Sequence, residues 1–228
     1  MSAICWMLAA LIMAPTAEPT SLLGSLPADG TWSRYAVTIE EAGATYNVTW
    51  ITRSVGKLDY DGRPCRWIEL EQQSDSLVYP PLVYRLLIPE ASFGKGQNPY
   101  DSIVKAWVKV KQLPPREIAD LESYDPRLAL VLAGPDANLH VEKEPKKVTC
   151  GDKTLECHTL RGERRSSLEG FPLRVSQQLL TSEAVPFRMA GFEQEFYPAN
   201  GNDLLGAVKS TLVDFGQDAK PALPELMP

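Results

Sequence analysis

Tyr35, Val37 and Ile39 alternate with polar or small residues, and Tyr46, Val48 and Trp50 do the same beyond the turn at Glu41, Ala42 and Gly43. Successive side chains of an extended strand point to opposite faces, so an apolar period of two marks a strand with one buried face. The pattern recurs along most of the chain. A third strand approaches Asp61-Gly62, a strong two-residue hairpin signal. The next runs over 65–71, with Arg66, Ile68 and Leu70 opposite Trp67 and Glu69, and another covers 82–88. Segments 147–150, 154–161, 173–181, 189–197 and 205–215 continue it. Nine or ten strands in mostly hairpin order imply an antiparallel sheet.

Two helices are expected between the strands. Asn98-Pro99 reads as a cap followed by proline at the first helical position, with Tyr100, Ile103, Val104, Trp107 and Val108 on one face and Lys105 and Lys109 on the other. A shorter helix starts at Asp125-Pro126, runs through Leu128, Val131 and Leu132, and stops at Gly134. Pro114-Pro115 separates the two. An antiparallel sheet with two or three helices inserted mid-chain buries its apolar side by covering one face with them. The expected class is α+β, mostly β.

At 228 residues with 44% hydrophobic content, the chain suits one domain with a sizeable core. Its net charge of −6 and scattered lysines and arginines argue against a nucleic-acid partner or an anionic membrane surface. The apolar run over 3–13 is too short to span a bilayer. Followed by small residues, it reads as a signal peptide over 1–17 cut after Ala17, although a basic start is lacking; a buried first helix is the alternative. No transmembrane span is expected. A linker over 18–31, one domain over 32–216 and a loose proline-containing tail over 217–228 complete the division, and the compartment is the bacterial envelope, periplasmic or secreted.

The densest cluster of reactive side chains is CGDKTLECH at 150–158. A structural zinc site needs four ligands, and the remainder of the chain offers only Cys65, His140 and no second closely spaced pair. Gly151-Asp152 is itself a hairpin turn, which puts Cys150 opposite Lys153 and Cys157 about four residues, or ~13 Å, along the partner strand, beyond disulfide reach. His158 points away from its neighbour Cys157 in a strand. The segment therefore reads as a hairpin. After export three cysteines remain, which allows one disulfide, expected between Cys65 and Cys157, and one thiol.

No Gly-x-Ser-x-Gly motif occurs, and Gly94-Lys95-Gly96 lacks the second half of a phosphate loop. Arg161, Arg164 and Arg165 read as a solvated hairpin tip. No nucleophile–base or acid–base pair can be assembled, so no catalytic residue, metal ligand or cofactor is expected and the protein is read as a non-enzyme.

The stretches DGRPCRWIELE, LLIPEASFGKGQNPYDSIVKAWVK, TLECHTLRG and LLTSEAVPFRMAGFEQEFY resemble exported proteins of planctomycete-type bacteria, which are similar in layout to the periplasmic lipoprotein-carrier (LolA/LolB-like) superfamily. The shared pattern is a glycine-introduced strand ending in cysteine at 153–157, a strand leading into Ser-x-x-Val-Pro-Phe at 179–187, and a further strand at 189–196. Arg188 stands where the pattern has glycine. The resemblance implies a strongly curved antiparallel half-barrel whose helices close the concave side over an apolar cavity.

On that reading Tyr35, Val37, Ile39, Tyr46, Val48 and Trp50 line the cavity together with Ile103 and Trp107 from the closing helix. The expected function is binding of an apolar or lipid-like ligand, with an envelope protein as a further partner. The rival is a structural or protein-interaction module of the same fold with a packed core. A cavity of several hundred Å³ distinguishes the two.

Overall fold

The computed structural model describes residues 23–94 and 97–224, so the signal-peptide reading of 1–17 lies outside the described residues. Four long strands open the fold: β1 (Trp32–Glu41), β2 (Ala44–Tyr60), β3 (Arg63–Gln73) and β4 (Leu82–Pro89). After two short 3-10 turns come β5 (Lys105–Val110), β6 (Arg116–Ile118), α1 (Leu121–Tyr124) and α2 (Pro126–Leu132). The second half contributes β7 (Ala137–Val141), β8 (Lys146–Cys150), β9 (Lys153–Leu168), β10 (Phe171–Thr181), β11 (Met189–Pro198) and β12 (Gly206–Gly216).

All pairings are antiparallel, in the order β6-β5-β4-β3-β2-β1-β12-β11-β10-β9-β7, with β8 hairpinned onto β9. The first long strand thus pairs with the last, and the sheet curves without closing into a half-barrel. Turn chemistry sets this register. Ala42-Gly43, Asp61-Gly62 and Glu169-Gly170 each place two successive residues at positive φ, the twist that joins strands by a two-residue loop.

One face of the sheet carries the core. Tyr35, Val37 and Ile39 of β1 stand opposite Trp50, Val48 and Tyr46 of β2 and opposite Leu212, Ser210 and Val208 of β12. The inward row continues through Leu70 to Tyr84 and Val108 on one arm, and through Phe192 to Leu179 and Leu160 on the other. Period two is followed strand after strand, as the alternation predicts.

Where the structure departs from the sequence reading, the reasons are local. Asn98 caps only the 3-10 turn Pro99–Ser102, and the segment expected to continue as a helix is strand β5. Val104, Ala106, Val108 and Val110 also fit a period of two, and the edge of β4 was available to pair with it. Trp107 therefore faces the convex side, where it meets Trp67 edge-on at 5.8 Å, and Lys105 lies over the Tyr60 and Trp107 rings. The strand expected through Tyr46, Val48 and Trp50 and the third strand expected to approach Asp61-Gly62 are one 17-residue strand, β2, bulged between Ser54 and Lys57.

The Gly151-Asp152 hairpin forms with Cys150 opposite Lys153. Cys65, Cys150 and Cys157 are all free and buried, and burial pushes each thiol above its ordinary pKa. Five strands stand between β3, which carries Cys65, and β9, which carries Cys157, so the expected bridge is not formed. Arg164 is no solvated tip either: β9 runs on to Leu168, and Arg164 turns inward.

The described parts of the expected linker and tail are docked. Leu23 is only 2% exposed, and the Pro27 carbonyl accepts from Arg66 Nη1 at 2.7 Å. On the convex face Glu69, fully buried, accepts from Arg85 Nη2 at 2.6 Å and from the backbone N–H groups of Ala222 (2.7 Å) and Leu223 (3.1 Å). Arg85 in turn donates to the carbonyls of Leu223 (2.6 Å) and Pro224 (2.7 Å). A buried charge requires such partners, and here the tail supplies them.

Candidate functional site

α2 lies across the concave face and is tied at both ends. At its N-terminus Asp125 caps the helix by accepting from the Leu128 N–H at 2.9 Å, and also accepts from the Tyr84 hydroxyl of β4 at 2.7 Å. At its C-terminus, carbonyls without helical partners are taken up by inward polar side chains of three strands. Arg164 of β9 donates to Leu130 O at 2.7 Å, Gln177 of β10 to Ala133 O at 2.8 Å, and Gln194 of β11 to Val131 O at 2.8 Å. Gly162 of β9 lets the chain leave α2 closely, since a Cβ there would stand 2.7 Å from Pro135 Cβ.

Between α2 and the sheet lies a cavity of about 450 Å³. Its walls are Tyr35 and Ile39 of β1, Trp50 and Thr52 of β2, Leu70 and Tyr84 of β3 and β4, Met189, Phe192 and Phe196 of β11, Leu173 of β10, and Leu128 with Leu130–Leu132 of the helix. The β1–β2 turn, the β3–β4 loop, the β9–β10 turn and the β11–β12 loop surround its mouth. There Val78, Phe171 and Leu205 line the opening while remaining 55%, 52% and 43% exposed. Glu41 accepts from Tyr79 and Arg127 at the same rim. The opposite end is closed by Leu23, Met189 and Tyr100.

Burial shapes the tyrosines at this site. The Tyr35 hydroxyl donates to Met189 O at 3.0 Å, and burial lifts its pKa to about 12. Tyr84 is raised further, by burial and by the Asp125 carboxylate it bonds. Tyr79 is raised to about 12 by burial and then by Glu41. Burial holds Tyr100 well above its ordinary value. These hydroxyls are donors, not bases, at neutral pH.

Several solved structures match the chain at very low identity. A DUF1329 family protein from Desulfovibrio piger matches with a TM-score of 0.40 and 11% identity over 84% of this chain and 87% of that one. An exported protein with a YmcC-like fold from Bacteroides fragilis gives 0.40 and 8% over 85% and 98%. A LolA superfamily protein from Nitrosomonas europaea gives 0.34 and 9% over 89% and 92%. No protein-family model and no curated protein sequence matches the chain.

Of the residues singled out from sequence, the structure brings Tyr35, Ile39 and Trp50 to the cavity wall. Val37 and Val48 share that face but are packed in the core. Tyr46 packs edge-on against Tyr79 at 5.1 Å, and Ile103 ends the 3-10 turn with its N–H on Tyr100 O. Trp107 is on the other side of the sheet. The far arm was missed: Leu173, Phe192 and Phe196 line the cavity, and Gln177 and Gln194 hold its lid. A signal was present, since each glutamine occupies an inward position in an otherwise apolar alternation. Such a residue has to find a polar partner brought across from another layer.

His158 is exposed while its neighbour Cys157 is buried, so the two do not form a catalytic pair. No helix among the described residues is long and apolar enough to cross a membrane.

Proposed function

We propose that this is an exported, non-enzymatic protein that binds an apolar or lipid-like ligand in the half-barrel cleft. The observation that carries the reading is the cavity of about 450 Å³ between α2 and the concave face, walled by aliphatic and aromatic side chains and rimmed by exposed apolar ones. Well-packed interiors leave few voids larger than a water molecule, so a space of this size favours a ligand over a packed interaction module. A ligand that loses ~200 Å² of apolar surface to water there gains roughly 5 kcal/mol before ordering costs. The closed end and apolar walls suit a chain or ring system entering from the mouth. An envelope protein that delivers or receives the ligand would meet it at that rim.

The test is saturable binding of the neutral fluorescent probe N-phenyl-1-naphthylamine. Leu128 lines the cavity from the first turn of α2, where an aspartate suits the helix terminus, so Leu128→Asp places a charge in the cleft with little cost to the helix. Binding is expected to be lost in that variant and retained in Lys147→Glu, on exposed β8. Absence of saturable binding to the wild-type protein would overturn the proposal.

A further inference from the structure

Exposed apolar side chains are not spread evenly over this fold. The pairings Glu41 with Ala44 and Gly206, Leu82 with Gln72 and Val110, Phe171 with Leu168 and Leu173 with Pro198 bring the loops 42–43, 74–81, 111–115, 169–170 and 199–205 to the mouth end of the half-barrel. The Lys111 N–H, bonded to Pro81 O at 2.9 Å, ties the third of these loops to the second. Leu77, Val78, Leu113, Phe171, Leu204 and Leu205 lie in or next to four of them and are between 43% and 88% exposed. At the closed end the connections 61–62, 90–104, 151–152 and 182–188 carry no exposed large apolar side chain among the described residues. Single exposed apolar residues are ordinary, but a group of six at one end marks a contact surface. Val78, Phe171 and Leu205 also line the cleft, so rim and cavity share side chains.

What covers such a rim follows from its shape and charge. A stable protein interface buries about 800 Å² per partner around a closely packed centre. Here the apolar side chains stand on separate loops, and the centre of the face is the opening of the cleft. A fluid lipid layer receives separate tips at any spacing, and attachment grows with the apolar area each one buries. The same loops carry Asp75, Glu169 and Asp203 against Lys111 alone. An anionic bilayer attracts basic segments and repels a rim of this charge, so an uncharged headgroup layer is the one that fits.

Resting on the ligand-binding reading above, we infer that the mouth end of the half-barrel docks on an uncharged lipid surface, with these loops set among the headgroups, so that an apolar ligand passes between bilayer and cleft without crossing water.

Flotation with vesicles of phosphatidylcholine, alone or mixed with phosphatidylglycerol, tests this on the protein purified after export and on a triple variant, Leu77→Glu with Leu113→Glu and Leu204→Glu. None of the three lines the cleft, so binding of N-phenyl-1-naphthylamine in vesicle-free solution should be unchanged and reports an intact fold. Wild-type protein should float with phosphatidylcholine vesicles at low and high salt alike, and phosphatidylglycerol should not strengthen the binding. Burying one leucine is worth about ten-fold in partitioning, so the triple variant should lose about a hundred-fold or more. Val213→Glu, an exposed position on the outward row of β12, should float as wild type does. Wild-type protein left in the soluble fraction, or a triple variant that floats equally well, would overturn the docking. So would flotation that needs phosphatidylglycerol and disappears in salt, which assigns it to basic side chains elsewhere. A dimer in sedimentation equilibrium that the triple variant abolishes, in a protein that ignores vesicles, would make the rim a face for a second copy instead. Absence of probe saturation would remove the ligand-binding reading and the exchange built on it, while flotation reports the docking separately.

Discussion

Arg85→Met should cost far more than any surface charge change, and the reason is what it leaves behind. Glu69 is fully buried on the convex face, and Arg85, whose side chain is 7% exposed, reaches its Oε1 through Nε at 2.9 Å and Nη2 at 2.6 Å. Methionine fills similar volume but removes both bonds, leaving the carboxylate with only the N–H groups of Ala222 and Leu223 and the carbonyls of Leu223 and Pro224 without their donor. Breaking one side of a buried ion pair in this way costs about 3–5 kcal/mol. With an m-value of about 2 kcal/mol/M, the urea midpoint should fall by about 1.5–2.5 M. The tail should loosen at the same time, read as faster hydrogen exchange at Ala222 and Leu223. In the double variant Glu69→Leu with Arg85→Met the stranded charge is gone, so stability should return to within ~1 kcal/mol of wild type or exceed it. A single variant that loses less than 1 kcal/mol, or a double variant as unstable as the single, would refute the reasoning.

Three further outcomes are expected. Phe187 and Arg188 are both at φ 61°, and Arg188→Gly should relieve about 1 kcal/mol of left-handed backbone strain, raising the thermal midpoint; a fall in midpoint would count against the strain. Asp125→Ala removes the cap of α2 and strands the hydroxyl of Tyr84, a residue only 2% exposed, so a loss of about 2–4 kcal/mol should appear in chemical unfolding together with weaker probe binding. In alkali, Tyr35 has a folded pKa of about 12 against 10.0 for the free phenol, so the folded state holds the proton longer; its stabilisation is complete below pH 10 and falls by about 3 kcal/mol as pH rises to 12. Tyr35→Phe should flatten that decline in a pH series of urea midpoints, and an unchanged slope would contradict it.

The strands that could be read from the sequence are those whose inward positions are uniformly apolar and whose turns carry glycine. β1, the first half of β2 through Trp50, and the Gly151-Asp152 hairpin are of this kind, because pleat and turn act over a few neighbouring residues. The segment 100–110 resisted the same logic. Ile103, Val104, Trp107 and Val108 fit a helical face, while Val104, Ala106, Val108 and Val110 fit a strand face, and only the free edge of β4 decides between them. Trp107 consequently changed sides. The docked tail was illegible for a related reason: its proline content signals absence of regular structure, not absence of partners, and its partners are two charges more than a hundred residues away. The half of the cavity wall built from β10 and β11 depended on β1 pairing with β12, a contact that no local pattern specifies.

That pairing also explains how a cleft can persist in an open sheet. A seven-residue helix has little stability of its own, and the two arms of a curved sheet could close on each other to remove the apolar void between them. α2 prevents this by being bonded to both arms at once. Tyr84 holds its N-terminus to β4, and Arg164, Gln177 and Gln194 hold its C-terminus to β9, β10 and β11. Each bond contributes only about 1 kcal/mol, but each also satisfies a helix-end group that would otherwise be buried unpaired, so releasing the helix costs more than the bonds alone. Collapse of the cleft and detachment of α2 are therefore one event. The rim carries few such ties, and its loops present exposed leucine, valine and phenylalanine side chains to solvent. If the proposed ligand binding holds, the motion that admits the ligand is cheapest there, with the helix staying in place.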